Sequence, residues 1–322
     1  REHILATSLP LQFPVGFPAM AQQSFESGHA DAVHDVQMDF YGKRLASASS
    51  DRIVKVFDIA GSVQQPIADL AGHDGPVWQV SWAHPKFGSL LASCSFDHRV
   101  IIWKETQEGV WAQAYKSPET LHSASVNSIC WAPQELGLML ACGSSDGTIS
   151  ILNHNADGAW STDKIGSDVP AHAVGVTAVS FSPAVPPGAL VSAQGPGEPV
   201  KRLVSCGCDN TVKIWSYSKQ AGSWSQEGSP LQMHTDWVRD VAWAPNLGLP
   251  MNTIASAGQD GKVIVWAEKP GGSWQPVLLK DFGVPAWRVS WSTTGNILAV
   301  SDANSSVTLW KEAMDGQWQC IS

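Results

Sequence analysis

The feature that most limits how this chain can fold is a sixfold recurrence. An Asp or Asn is followed six residues later by an aromatic or a leucine at Asp51/Phe57, Asp97/Trp103, Asp146/Leu152, Asp209/Trp215, Asp260/Trp266 and Asn304/Trp310. The copies lie on average about 50 residues apart. The fullest one runs from Gly72 to Lys104, GHDGPVWQVSWAHPKFGSLLASCSFDHRVIIWK. Five copies open with a histidine, at His29, His73, His122, His172 and His234, and the sixth has Phe282 there. A unit of this length cannot bury its own apolar surface, so copies must stack on one another to make a core.

Within each copy, period-two alternation and β-branched or aromatic enrichment predict strands. The first reads V-x-x-V-x-W in form, as in VHDVQM, VWQVSW, VNSICW, VTAVSF, VRDVAW and AWRVSW. The second is short and built of small residues, as in LLASCS, and the third is nearly continuously apolar, as in TVKIW and VIVW. A strand apolar on both sides is buried on both faces, and charged residues at 15% suit such a chain. A further tryptophan, at Trp111, Trp160, Trp224, Trp274 or Trp318, follows a Gly-containing turn and opens a fourth strand. The 16 tryptophans then sort by role. Trp82, Trp131, Trp243 and Trp291 end first strands, and Trp103, Trp215, Trp266 and Trp310 end third strands. Trp78, Trp237 and Trp287 stand near the start of first strands. At about 150 to 250 Å² per buried ring, these side chains dominate the expected packing between four-stranded blades.

The fourth copy is stretched by a Pro/Gly-rich surface loop at about 184–201. Residues 1–27 read as a flexible extension and 28–322 as one propeller domain. Ile4 to Phe17 is moderately apolar and Ala19-Met20-Ala21 has a signal-cleavage form. Pro10, Pro14, Pro18 and Gln12 interrupt that segment, which favours an extension or translated leader ahead of Met20. No apolar run reaches transmembrane length. A net charge of −9 argues against direct nucleic-acid binding. The six cysteines, 94, 130, 142, 206, 208 and 320, show no zinc-type spacing, so no metal or other cofactor is expected and the thiols read as reduced and mostly buried.

Serine, histidine and aspartate recur together, which invites a catalytic-triad reading. A constellation repeated up to five times, each time near a Trp donor, is instead architectural. The expected arrangement is an indole N–H donating to a strand-two serine, the serine to imidazole, and the imidazole N–H to the turn Asp. The residues are His29, Asp51, His73, Asp97, Trp103, His122, Asp146, His172, Asp209, Trp215, His234, Asp260 and Trp266. No P-loop, GxSxG, HExxH or dinucleotide fingerprint is present, and the chain reads as no enzyme, with no small-molecule substrate.

These GH…D…W copies resemble WD-repeat β-propellers. The segments HDVQMDFYGKRLASASSDRIVKVFD (34–58), GHDGPVWQVSWAHPKFGSLLASCSFD (72–97), HSASVNSICWAP (122–133), DWVRDVAWAP (236–245) and WRVSWSTTGNILAVS (287–301) resemble, more closely, the Sec thirteen family. The family is shared by the outer cage of the coat protein complex II vesicle coat and the Y-shaped scaffold of the nuclear pore. The strand count adds a constraint of its own. Blade one finds its four strands between Val33 and about Leu70, and blade six ends near Trp318, so no strand is left for an N/C-terminal clasp. The expected fold is all-β, an open six-bladed WD-repeat propeller. The resemblance implies that a partner completes it: a solenoid cage subunit of the coat, or a solenoid nucleoporin, each donating a blade. It implies a rigid brace at the cytoplasmic face of the ER membrane and coat vesicles and at the nuclear pore, with membrane contact only indirect. The residues expected to face that blade are Val33, Val36, Val54, Val56 and Phe57 on blade one, and Trp287, Val289, Trp291, Val307 and Leu309 on blade six. The alternative is a peptide-reading or adaptor propeller of another complex, which predicts a clasped ring.

Overall fold

The computed structural model describes residues 3–6, 23–61, 63–187, 198–246, 251–313 and 315–321. β1 (His3–Ala6) pairs antiparallel with β2 (Gln23–Glu26) as a separate two-stranded sheet within the segment read from sequence as an extension. Six four-stranded antiparallel sheets follow in chain order, the blades of a WD-repeat propeller. Blade one is β3 (Val33–Met38), β4 (Arg44–Ser49), β5 (Ile53–Ala60) and β6 (Val63–Ala71). Blade two is β7 (Val77–Trp82), β8 (Leu90–Ser95), β9 (Val100–Gln107) and β10 (Val110–Lys116). Blade three is β11 (Val126–Trp131), β12 (Met139–Ser144), β13 (Ile149–His154) and β14 (Trp160–Ile165). Blade four is β15 (Val176–Phe181), β16 (Arg202–Gly207), β17 (Thr211–Ser218) and β18 (Ser223–Gln232). Blade five is β19 (Val238–Trp243), β20 (Thr253–Gly258), β21 (Lys262–Glu268) and β22 (Trp274–Asp281). Blade six is β23 (Ala286–Trp291), β24 (Ile297–Asp302), β25 (Val307–Glu312) and β26 (Trp318–Cys320). No α-helix occurs among the described residues.

The chain divides into two compact units, one ending at Leu121 and the other running from His122 to Ile321. Blades one and two belong to the first, and blades three to six to the second. Within each unit cores form between consecutive blades, because the second and third strands are apolar on both faces. In the first unit Ala46, Ala48, Val54, Val56 and Leu70 of blade one pack on Val77, Val80, Leu91, Ile101 and Trp103 of blade two. In the second unit Val204, Val212 and Ile214 of blade four meet Val238, Val241, Trp243, Ile254 and Trp266 of blade five. Ala257, Val263 and Val265 of blade five meet Val289, Leu298, Val300 and Trp310 of blade six in the same way.

The tryptophans thicken the face of a blade that meets its predecessor. The last residue of the first strand meets the fourth-strand tryptophan edge-on in Trp82/Trp111 (5.8 Å), Trp243/Trp274 (5.6 Å) and Trp291/Trp318 (5.9 Å). Such pairs each add roughly 0.5–1.5 kcal/mol beyond area burial. Blade one has Met38 and no fourth-strand tryptophan at these places, and Phe57 instead packs edge-on at 5.2 Å against Phe25 of β2.

Each hairpin between second and third strands turns through a left-handed residue directly after the repeat Asp or Asn. It is Arg52 (φ 73°), His98 (67°), Asn210 (64°) or Ser305 (59°), with Gly147 and Gly261 in the other two copies. The strain this places on a Cβ-bearing residue is offset by the Asp, whose carboxylate accepts the N–H two residues on, as at Ile53, Arg99 and Thr211. The long loop of blade four is closed at its base by Val200 N–H donating to the Ala184 carbonyl at 2.9 Å. The loop tip, 188–197, lies outside the described residues.

If the interblade cores carry the stability, Ile264→Ala, at a fully buried site, destabilises the fold by about 2–5 kcal/mol in urea titration, with unchanged m-value. Val277→Ala, on the 45%-exposed face of β22, stays within about 0.5 kcal/mol of the parent. Equal losses at the two sites would place the stability elsewhere.

Candidate functional site

Three blades carry the whole expected hydrogen-bond chain. His73 Nδ1 lies 2.9 Å from Asp97, its Nε2 2.8 Å from Ser93 Oγ, and Trp103 Nε1 donates to Ser93 Oγ at 2.9 Å. His172, Asp209, Ser205 and Trp215 repeat this at 2.8 Å throughout. His234, Asp260, Ser256 and Trp266 do so at 2.9–3.0 Å. A carboxylate only accepts, so the imidazole proton resides on Nδ1. Nε2 then accepts the serine O–H, while the serine oxygen accepts the indole N–H. Each member is satisfied, the condition under which a buried polar network stabilises.

The other three blades depart from that pattern. In blade one His29 keeps Asp51 and Ser47, both at 2.8 Å, but Phe57 has no N–H to add. In blade three the expected strand-two serine is Cys142, and the hydroxyl comes from the third strand: Ser150 Oγ lies 2.8 Å from His122 Nε2, with Asp146 at 3.2 Å from Nδ1. In blade six Trp310 Nε1 donates to Thr308 at 2.9 Å. There the turn carboxylate is Asp302, which accepts from Asn304 and Ser306, so Asn304 does not take the Asp role that its alignment suggested.

Electrostatics match a clamp rather than a nucleophile–base pair. Burial alone would raise the Asp97 carboxyl, but the His73 hydrogen bond and charge and the N–H groups of Asp74 and Arg99 outweigh it and hold it at about 2. Asp146 and Asp209 are held below the usual carboxylate range by their histidines in the same way, against burial. Burial pushes His172 and His234 below the ordinary imidazole range, against the pull of Asp209 and Asp260. The serines lie buried at 0% exposure, where no substrate reaches them. Burial also pushes the Cys142 thiol up to about 12. Cys206, buried beside Thr177, is raised as well. No group of three His, Cys, Asp or Glu able to hold a metal occurs among the described residues.

A second device, not anticipated from the sequence, joins consecutive first strands. Numbering each first strand one to six, the side chains at positions three and five accept backbone N–H groups from positions four and six of the next blade. Asp35 and Gln37 accept from Val80 (3.1 Å) and Trp82 (2.6 Å). Ser128 and Cys130 accept from Val179 and Phe181. Ser180 accepts from Trp243, and Asp240 from Val289 at 2.9 Å. The available signal was polar residues at odd positions of a strand whose other odd-face neighbours are small or apolar. An ion pair bridges the same blades further out: Arg44 to Glu105, and its counterpart Arg202 to Glu268.

The ten residues expected to face a donated blade divide between two surfaces. Val54 and Val56 pack into blade two, and Val289 and Trp291 into blade five. Trp287 stacks on the Arg239 guanidinium of blade five at 4.8 Å. Strand alternation explains the split, since Val54 and Val56 share a face and Phe57 points the other way. Val36, on the face of blade one turned from blade two, is 36% exposed, as is its strand neighbour Met38 at 43%. Val33 opens that strand half-buried. On blade six Val307 (40% exposed) and the buried Leu309 share the face turned from blade five.

Comparison with known proteins agrees with this architecture. The WD domain, G-beta repeat family matches residues 21–58, 64–104, 117–153, 188–216 and 225–267. The chain is 58% identical to Protein transport protein SEC13 homolog A of Arabidopsis thaliana, over 89% of this chain and 93% of the relative. It is 47% identical to Protein transport protein SEC13 of Mycosarcoma maydis, over 93% and 94%. It is 48% identical to Protein SEC13 homolog of Drosophila melanogaster, over 88% and 78%.

Two outcomes test the clamp reading. Ser205→Ala strands both the Trp215 N–H and His172 Nε2 and is expected to cost about 1–3 kcal/mol, whereas Ser47→Ala, which strands one group, costs less. Depressed histidine and aspartate values mean protons bind the unfolded chain more readily. Stability is therefore full above about pH 7, falls as pH drops below the unfolded imidazole value of about 6.5, and falls again below about pH 4 as Asp97 and its counterparts protonate. Urea titration across pH should show this, with a shallower slope between pH 7 and 5 for His172→Gln. Stability that rises on acidification would contradict the assignment.

Proposed function

The chain belongs to the SEC13 family of WD-repeat proteins, and from that premise we propose that it is a non-enzymatic scaffold subunit of protein transport. It accepts a β-blade from a helical-solenoid partner and stiffens the assembly that holds it. The partners are the solenoid cage subunit of the vesicle coat in ER-to-Golgi transport and a solenoid nucleoporin of the Y-shaped pore complex. Its places of work are then the cytoplasmic face of the ER membrane, coat vesicles and the nuclear pore. The mechanism is geometric: backbone pairing and buried side chains supply affinity, and rigid blades supply stiffness.

The observation that carries this reading is a mismatch between the terminal blades and the rest. Val80, counterpart of Val36 in blade two, and Val263, counterpart of Val307 in blade five, are buried. Val36 and Val307 are 36% and 40% exposed. Residues that are core elsewhere in the repeat are thus surface on one side of each terminal blade. An exposed apolar sheet face of this kind is a surface for association. The Ser/His/Asp clamps, where chemistry would first be sought, are all occupied in holding hairpins.

Co-expression with the coat solenoid and, separately, with the solenoid nucleoporin tests the proposal. Val36→Ala with Met38→Ala, or Val307→Ala with Leu309→Ala, is expected to weaken co-purification about tenfold or more, from roughly 1 kcal/mol per truncated side chain. The circular-dichroism spectrum should not change. An adaptor propeller would instead lose its partner on Trp237→Ala or Trp287→Ala, at rings left 43% and 45% exposed around Arg239. Unchanged solenoid binding by the four truncated positions, with an intact fold, would reject the blade-acceptor reading.

A further inference from the structure

The joins between first strands point to the chemistry of what covers blade one. Within each unit the order recurs: where a polar side chain stands at position three or five of a first strand, it accepts from the N–H at position four or six of the next blade. Asp35 and Gln37 serve Val80 and Trp82 in this way. Ser128 and Cys130 serve Val179 and Phe181, and Ser180 and Asp240 serve Trp243 and Val289. Where position three is Ala178, the Val241 N–H turns to its own neighbour Asp240 at 3.0 Å. An acceptor is therefore found for this N–H even when the preceding blade supplies none.

Blade one repeats the donor half of that arrangement. Among the described residues β3 pairs with β4 alone. Val36 and Met38 face Ser47 and Leu45 in the register in which Val80 and Trp82 face Ser93 and Leu91. Alternate residues of an antiparallel edge turn their N–H groups inward and outward, so those of Val36 and Met38 point away from β4, as those of Val80 and Trp82 do. The Val36 and Met38 side chains are 36% and 43% exposed, and no tryptophan stands at position six to donate from its indole as Trp82 does to the Gln37 carbonyl at 3.0 Å.

Resting on the blade-acceptor reading above, we infer that the partner strand laid beside β3 carries two hydrogen-bond-accepting side chains, at alternate positions, which receive the Val36 and Met38 N–H groups. The chemistry is that of Asp35 with Gln37, or Ser128 with Cys130: a carboxylate, amide, hydroxyl or thiol, not a basic or purely aliphatic pair. The two acceptors set the register of the donated strand, because a one-residue slip turns both side chains to the opposite face.

Proline deletes one N–H and is tolerated on an edge strand whose N–H faces outward, which makes the test direct. The full chain is co-expressed with the coat solenoid, and affinity is measured for Val36→Pro, Met38→Pro and the N–H-retaining Val36→Ile and Met38→Leu. The expectation is a loss of about threefold to tenfold for each proline and little change for the other two, all at near-parental melting temperature. If a proline variant melts early, the same loss is read from the partner side, by changing the two acceptor residues of its innermost strand to Leu. Proline or Leu variants that bind as tightly as the parent overturn the inference and leave the blade-acceptor reading in place. A parent chain that binds no solenoid overturns both.

Discussion

A sheet that is apolar on both faces must be covered on both faces, and most of this molecule follows from that requirement. The third strands, such as Val100–Trp103 and Val263–Trp266, leave no polar side for water. Within each compact unit a sheet therefore finds its cover in the sheets next to it. The face meeting the preceding blade carries the bulk, in pairs such as Trp243/Trp274. The face meeting the following blade carries the aliphatic side chains, such as Val204 and Ile214. Such a division works along a series and leaves a question at its two ends, where Val36 and Val307 are surface.

Within each blade the clamp answers a different need. The hairpin joining second and third strands requires a left-handed residue after the Asp, and the incoming chain at the histidine must be tied to it. One carboxylate does both jobs: Asp97 accepts from His73 and Asp74 with one oxygen and from Arg99 with the other. Blade three shows what the arrangement depends on. With Cys142 in place of the serine, the hydroxyl arrives from Ser150 on the neighbouring strand at the same 2.8 Å from imidazole. The position of an oxygen matters, and the strand supplying it does not. Blade six, with Phe282 and no histidine, replaces the polar chain with an edge-on aromatic contact to Trp310 at 6.3 Å.

The period, the strand count and the clamps are legible from residue type and spacing, because repetition averages out local noise. His29, His73, His122, His172 and His234 announce themselves by standing 22 to 37 residues before an Asp that they then touch. Which face of a strand meets which neighbour is not legible in the same way. Val54, Val56 and Phe57 are equally apolar, and alternation already separates the first two from the third, but only packing assigns the direction. The joins through Asp35 and Gln37 escape a sequence reading because their partners lie 45 residues on, in another blade, with no local pattern to link them. Asp302 is hidden by the same alignment that points to Asn304: counting back from the tryptophan fixes a position, and a carboxylate two residues earlier reaches the same turn.

The central claim is that one face of each terminal blade awaits cover from a partner strand. Amide hydrogen exchange, compared between the isolated chain and its complex with the coat solenoid, tests it most directly. The account predicts new protection in β3 and β25, with the strands already buried between neighbouring blades, such as β8 and β20, unchanged. Protection that appears instead around Trp237 and Trp287, or that leaves β3 and β25 exchanging as in the free chain, would contradict it.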